Sequence, residues 1–160
     1  MGTLKVNQID LNDAKAVKAL KQALQKLVNN PSSYHSLRFK PRYYFEVPDG
    51  PLPSERGWYI ILDPDRKPIY VGKADDLNAR LNTNNGSIDN FANQKRASDP
   101  ERNFIKRFME LSVLSELRVC VIREMDIRLG LSLDSNKLSD LDRGNIEKLI
   151  NIFRSHLCFI

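Results

Sequence analysis

Histidine and cysteine are scarce in this sequence of 160 residues, which contains two of each. His35 and His156 are too few for a histidine-rich metal site or for a metalloprotease motif built on two neighbouring histidines. Cys120 and Cys158 form no CxxC pair and have no zinc-binding spacing. We therefore expect two buried, reduced thiols and a cytoplasmic protein.

Long apolar runs are also missing. No stretch approaches the roughly eighteen consecutive apolar residues of a membrane span, and the polar first residues do not resemble a signal peptide. The hydrophobic content of 41% and charged content of 28% are ordinary for a globular protein, and the length fits one domain with an extension. The net charge of +5 suggests a polyanionic partner such as nucleic acid, and no membrane partner.

The N-terminal third, residues 1–53, is predicted to be an extension of a main domain at residues 54–160. Residues 10–28 place apolar side chains at helical spacing and predict an amphipathic helix that Asp10 caps. Its basic face has two interpretations. It is either an arm along a phosphate backbone or the solvated side of a docked helix.

Residues 36–47 alternate between apolar and polar side chains, which predicts a strand. Pro41 restricts it to an edge or irregular strand, because proline cannot donate to the ladder. The polar set is equally consistent with DNA contacts and with a charged edge that resists aggregation. Its members are Arg38, Lys40, Arg42 and Tyr44.

The main domain follows a proline-rich connector. We predict a hairpin at 57–73 and a helix at 75–81, followed by a polar loop at 82–97. A second helix is predicted from Ser98 to about Leu114, and a strand at 116–123. Irregular chain is expected at 124–138, and a last helix at 140–157, capped by Ser139. The last helix is expected to turn its apolar side chains inward: Leu141, Ile146, Leu149, Ile150 and Phe153.

The hairpin reads GWYIILDPDRKPIYVGK and contains a turn signal at Asp63-Pro64-Asp65-Arg66. A two-residue loop would place Tyr59 directly opposite Tyr70 on one sheet face. Gly72 would end the strand and let the chain bend. The tyrosines could be a functional pair or an ordinary cross-strand aromatic contact.

The hairpin resembles the paired motifs of the GIY-YIG nuclease family. Gly57-Trp58-Tyr59 matches the first triplet and Tyr70-Val71-Gly72 the second, with ten residues between the two tyrosines. The match continues through Lys73-Ala74, Leu77 and Arg80-Leu81, and residues 146–150 resemble the helix that carries the family's metal-binding glutamate. The resemblance covers about residues 57–157. It implies an α+β fold with a small three-stranded antiparallel sheet flanked by helices, and cleavage of DNA with one divalent cation.

The resemblance also implies roles for five residues. Tyr59 would act as the base or orient the water, and Tyr70 would orient water or phosphate. Lys73 and Arg80 would stabilise the charge on the phosphate. Glu147 would hold Mg²⁺ or Mn²⁺, which would assist the leaving oxygen, and no small-molecule cofactor is implied.

Two of these residues have other interpretations, and the sequence departs from the family pattern at two further positions. Arg80 could be a solvated helix residue, and Glu147 could form a surface ion pair with Arg143, four residues earlier. Asn84 stands where the family often has histidine or tyrosine. Asn151, one turn after Glu147, could replace an asparagine that the family has further on.

The small size favours a standalone enzyme similar to type II restriction endonucleases, in which the extension and loops recognise DNA. A palindromic target would favour a homodimer. The alternatives are a catalytically inactive or regulatory DNA-binding protein with the same fold, and a structural interaction domain. The proposed loop contacts to DNA are Asn84, Asn85, Asn90, Asn93, Gln94, Lys95 and Arg96.

Overall fold

The computed structural model describes residues 12–40, 44–81, 117–133 and 138–160, with only the backbone at 39–40 and 44–45. In chain order the elements are α1 (Ala14–Val28), a 3₁₀ turn (Pro31–Ser33), β1 (Tyr34–Lys40), β2 (Tyr44–Glu46), β3 (Gly57–Leu62), β4 (Pro68–Ala74), α2 (Leu77–Leu81), β5 (Leu117–Arg123), α3 (Glu124–Gly130) and α4 (Asp140–Phe153). The predicted loop at 82–97 and the predicted helix after Ser98 lie outside the described residues.

The fold is α+β, with one antiparallel sheet in the order β2-β1-β5-β3-β4. Strands β1, β5, β3 and β4 form a continuous four-stranded core, and β2 pairs with the end of β1. The predicted three-stranded sheet was therefore too small. The extension supplies β1, which pairs with β5 from Tyr34↔Cys120 to Leu37↔Leu117. That pairing is distant in sequence, and a local pattern does not reveal it.

The segment predicted as one strand at 36–47 is two strands. Arg38 pairs with Glu46 and Lys40 with Tyr44, so the chain reverses direction between them. The predicted apolar face nevertheless holds across the reversal, since Phe39 pairs with Phe45, and Leu37 and Val47 are buried in one apolar cluster. Pro41, on which the prediction of an edge or irregular strand rested, lies outside the described residues.

Each side of the sheet buries its own apolar cluster. The helix face carries Trp58, Ile60 and Ile122, and α1, α3 and α4 pack on it. The tyrosine face carries Tyr59 and Ile61, and packs against α2 and the connector. Strand β3 is buried along its whole length because both of its faces are covered.

Helix α1 buries Leu20, Leu24 and Val28, which confirms the predicted stripe and favours the docked helix over the extended arm. Its observed cap is Asp13, whose carboxylate accepts a 3.0 Å hydrogen bond from the Lys15 amide. The predicted cap, Asp10, lies outside the described residues.

In α4 the Ser139 cap is confirmed, since its hydroxyl accepts from the Asp142 amide at 3.1 Å. Ile146, Leu149, Ile150 and Phe153 are buried as predicted. Leu141 was predicted to face inward but is 65% exposed, because the stripe toward the sheet runs through 142, 143, 146 and 150.

Helix α3 replaces the irregular chain predicted after β5. It begins with Glu124 and Asp126 and ends with Arg128, a charge order that complements the helix dipole. This order of charges is visible in the sequence and indicates a helix at these residues. Within the described chain, no helix combines the length and the apolar character needed to cross a bilayer.

The two cysteines are both free, but they are not alike. Cys120 is buried in β5, and burial raises the pKa of its thiol to about 12. Cys158 is exposed, so the prediction of two buried thiols holds for only one of them.

Candidate active site

The hairpin turn is one residue longer than predicted. The Asp63 carboxylate accepts hydrogen bonds from the Asp65 and Lys67 amides at 2.8 and 2.9 Å, and Arg66 has φ of 67°. The loop therefore has three residues and ends in a left-handed one. A separate bulge follows, because Leu62 pairs with Pro68 but Ile61 with Tyr70, which leaves Ile69 as an extra residue in β4. The loop and the bulge each shift the register by one residue.

The longer turn moves the register. Tyr59 pairs with Gly72, and Tyr70 pairs with Ile61, so the predicted direct Tyr59–Tyr70 pair is wrong. The shift is two residues, which leaves both tyrosines on the same face. Their ring centroids are 6.1 Å apart and the planes are inclined by 30°, a stacked contact on the diagonal.

Gly72 lies inside β4, not at a bend. A Cβ atom there would collide with Cζ and Oη of Tyr59. The phenol ring of Tyr59 therefore extends from β3 across the backbone of β4. Strand β4 ends the sheet, and in the described part of the chain no strand pairs with its outer edge. The absence of a side chain at Gly72 thus allows the Tyr59 hydroxyl to lie over the edge strand.

Arg80 meets this hydroxyl from α2. The Asp76 carboxylate accepts from the Ala79 amide at 3.0 Å and starts the short helix that carries Arg80. Arg80 Nε then donates to Tyr59 Oη at 3.2 Å. Because a guanidinium has only donors, the phenol oxygen is the acceptor. Tyr59 is 1% exposed, whereas Tyr70 and Arg80 are half-buried.

Lys73 and Glu147 belong to the helix face. Lys73 pairs across the sheet with Trp58, is exposed, and directs its Nζ toward Gly144 of α4, 3.9 Å from where a Cβ would stand. Glu147 is half-exposed and follows Gly144 by three residues, on the same side of the helix. The structure thus groups Tyr59, Tyr70 and Arg80 and separates them from the other two predicted residues by the edge strand.

A buried charge cluster anchors α4 beside this edge. Arg143 is 3% exposed and bonds through Nη2 to the Ala74 carbonyl at 2.7 Å and through Nη1 to the Asp75 carboxylate at 2.6 Å. Its Nε lies 3.5 Å from Glu124 Oε1, which Arg56 also approaches at 3.1 Å. The hydrogen bond and charge of Arg143 lower the pKa of Asp75.

Sequence reasoning missed this cluster, because it treated Arg143 as a surface partner of Glu147. The spacing of Arg143 from the apolar residues of α4 could have revealed it. Arg143 precedes Ile146 by three residues and Ile150 by seven, so it occupies the apolar stripe of α4. A charged residue in such a stripe indicates a buried, paired charge.

The predicted DNA contacts are only partly described. Arg38 is exposed and forms a loose ion pair with Glu46, with 3.8 Å between Nη1 and Oε1. Lys40 of β1 and Tyr44 of β2 pair with each other, at the opposite end of the strand order from β4. The remaining predicted contacts lie outside the described residues: Arg42, Asn84, Asn85, Asn90, Asn93, Gln94, Lys95 and Arg96.

Among the described residues, no group of three or more His, Cys, Asp or Glu side chains lies close enough together to hold a metal ion. Magnesium held by one protein carboxylate and several waters produces no such group. The half-exposed Glu147 carboxylate fits that mode of binding. Asn151 donates its side-chain Nδ2 to the Glu147 backbone carbonyl at 3.3 Å, a bond that does not use Oδ1, the atom that would bind a metal.

The chain matches no family model, no curated protein and no solved structure in the comparisons made. The resemblance to GIY-YIG nucleases therefore depends on the residues and geometry of this chain.

Proposed function

We propose that this chain is a metal-dependent DNA endonuclease of the GIY-YIG type. One observation carries the proposal: the Tyr59 hydroxyl lies over Gly72 of the edge strand and accepts a hydrogen bond from Arg80. A buried tyrosine hydroxyl needs a hydrogen-bond partner in any case, but a backbone carbonyl would serve; the guanidinium adds a positive charge beside the hydroxyl, and Gly72 leaves room for the ring over the edge strand.

Hydrolysis of a phosphodiester requires an oriented water, positive charge near the phosphate and assistance for the leaving oxygen. Tyr59 would orient the water, with Tyr70 stacked beside it. The Nε bond to Tyr59 holds the plane of the Arg80 guanidinium at the phenol oxygen, and a guanidinium suits the oxygens of a phosphate.

The edge position explains how residues from two faces could serve one substrate. A DNA backbone crossing the outer edge of β4 would meet Tyr59, Tyr70 and Arg80 from one side. Lys73 would approach it from the other side, where α4 also carries Glu147. Bound at Glu147, Mg²⁺ or Mn²⁺ would supply Lewis-acid stabilisation of the leaving oxygen.

The net charge of +5 supports a nucleic-acid partner. The exposed Arg38 at the other end of the sheet extends the surface over which a duplex could make contact. We propose a role like that of a type II restriction enzyme in the cytoplasm, acting as a homodimer on a palindromic site.

Supercoiled plasmid with Mg²⁺ tests the proposal. Wild type should nick or linearise it, whereas EDTA, Tyr59→Phe, Arg80→Ala and Glu147→Gln should each abolish cutting and retain DNA binding. Lys67→Ala, an exposed change next to the hairpin turn that also removes one positive charge, is the matched control and should cut normally. Full activity of Tyr59→Phe would refute the role of Tyr59.

A second candidate is a DNA-binding protein without turnover. It is favoured by the burial of Tyr59, of which only 1% is exposed. This alternative predicts salt-dependent DNA binding by wild type with no nicking in Mg²⁺ or Mn²⁺. Negligible DNA affinity would contradict both candidates and favour a structural interaction domain.

A further inference from the structure

The Arg143 side chain joins the parts of the molecule that flank the edge strand. It bonds to the Ala74 carbonyl at the end of β4 and to Asp75 just before α2, and its Nε lies beside Glu124 at the start of α3. Its own carbonyl accepts from Trp58 Nε1 at 3.1 Å, which ties α4 to β3 as well.

The cluster is poorly explained as a source of stability. Arg143 and Glu124 are 3% and 4% exposed, so both charges lose most of their hydration. Arg143 Nε and Glu124 Oε1 are close enough for an ion pair, but neither makes a well-formed hydrogen bond. Apolar residues of similar volume often stabilise a protein as well as a buried ion pair does. What the ionic form adds is a defined geometry.

That geometry affects three residues of the candidate site: Glu147 on α4, Lys73 on β4 and Arg80 on α2. Arg143 precedes Glu147 by one helical turn. The residues that it grips, Ala74 and Asp75, immediately follow Lys73 and lead into the helix of Arg80.

We propose that Arg143 is a positioning residue that sets the placement of Glu147 relative to Lys73 and Arg80. The inference rests on the proposed nuclease function for its consequence in cleavage, but the placement itself can be measured without cleavage.

Arg143→Lys is the first test, because lysine keeps the charge but lacks the planar fork that reaches several acceptors together. The single-turnover cleavage rate should fall about 100-fold, the cost of misplacing reacting groups by roughly an ångström. The half-saturating Mg²⁺ concentration should rise, and DNA affinity should stay within about two-fold of wild type. Arg154→Lys, just after the same helix, is the control and should change none of these values.

A charge-free triple variant separates position from stability. Arg56→Met, Glu124→Leu and Arg143→Met together remove the three charges of the cluster, and Asp75, which loses its partner, is 89% exposed and stays hydrated. We expect the midpoint of urea unfolding to match or exceed that of wild type while cleavage stays low. Recovery of cleavage along with stability would overturn the proposal, because it would show that the cluster acts only through folding.

Hydrogen exchange supplies the readout that does not depend on activity. Amides 144–148 should exchange faster in Arg143→Lys than in wild type under conditions where global stability is matched. If wild type does not cut DNA, the proposed function fails, and faster local exchange would still support the positioning role. Unchanged exchange, or wild-type cleavage by Arg143→Lys, would overturn it.

Discussion

Two neighbouring residues of β3, Trp58 and Tyr59, show how the two sides of the sheet differ. Both are buried, and each bonds through the one polar atom of its side chain. Trp58 donates to the backbone carbonyl of Arg143, whereas Tyr59 accepts from the Arg80 side chain. A bond to backbone satisfies a buried donor and anchors a helix. A bond between a phenol and a guanidinium beside an edge strand also satisfies a buried group, and it places a positive charge at the hydroxyl as well.

Replacing Trp58 should have the largest effect on folding. Trp58→Ala removes a buried ring and its hydrogen bond to the Arg143 carbonyl, so the free energy of unfolding should fall by about 3–5 kcal/mol. Chemical denaturation measures it. An equal loss in the free energy of unfolding for Tyr59→Phe would contradict the difference between the two faces of the sheet.

Replacing Gly72 should have the next largest effect. In Gly72→Ala the new methyl meets the Tyr59 ring, so overpacking should lower the free energy of unfolding by about 1–3 kcal/mol and displace the phenol. Urea unfolding gives the energy, and tyrosine ring resonances in NMR report the displacement. Tyrosine resonances unchanged from wild type would contradict the close approach.

Gly144→Ala is the matched control, because its methyl would be 3.9 Å from Lys73 Nζ, an ordinary contact. Alanine is the better helix former, so we expect a gain of up to about 1 kcal/mol. The same substitution should therefore have opposite signs at the two positions.

Removing the Tyr59 hydroxyl should affect stability still less. Tyr59→Phe retains the ring over Gly72 and loses one hydrogen bond, which should cost about 1 kcal/mol in urea unfolding. Plasmid cleavage should nevertheless be lost if the hydroxyl orients the attacking water. A loss of stability without a loss of cleavage would assign Tyr59 to structure, like its neighbour Trp58.

The smallest effect is expected from Asp75, which is bound by Arg143 but 89% exposed at its side chain. Its pKa is lowered in the folded protein, so its contribution to stability is present above the ordinary carboxyl pKa near 4 and is lost as pH falls through the lower folded value. Asp75→Asn should flatten the decline of stability below about pH 4. Thermal unfolding between neutral and acid pH, compared with wild type, would show it.

The sequence revealed what depends on local periodicity. The assumed hairpin register was wrong by two residues, an even number, so both tyrosines still lie on the predicted common face, and helical spacing located α1 and α4. It could not reveal the register, because that depends on a left-handed Arg66 in the turn. The pairing of β1 with β5 and the contacts of Arg143 join residues far apart in the chain, and no local pattern encodes them.

Because Cys120 is buried and Cys158 is exposed, the two native cysteines can report local opening of the fold. A thiol-directed reagent needs access and thiolate, and Cys158 offers the access that Cys120 lacks. Cys120 lies in β5 between β1 and β3, so a reagent can label it only when the central strands of the sheet open locally. After Cys158 has been blocked, the slow uptake of a second label would time those openings without any engineered probe.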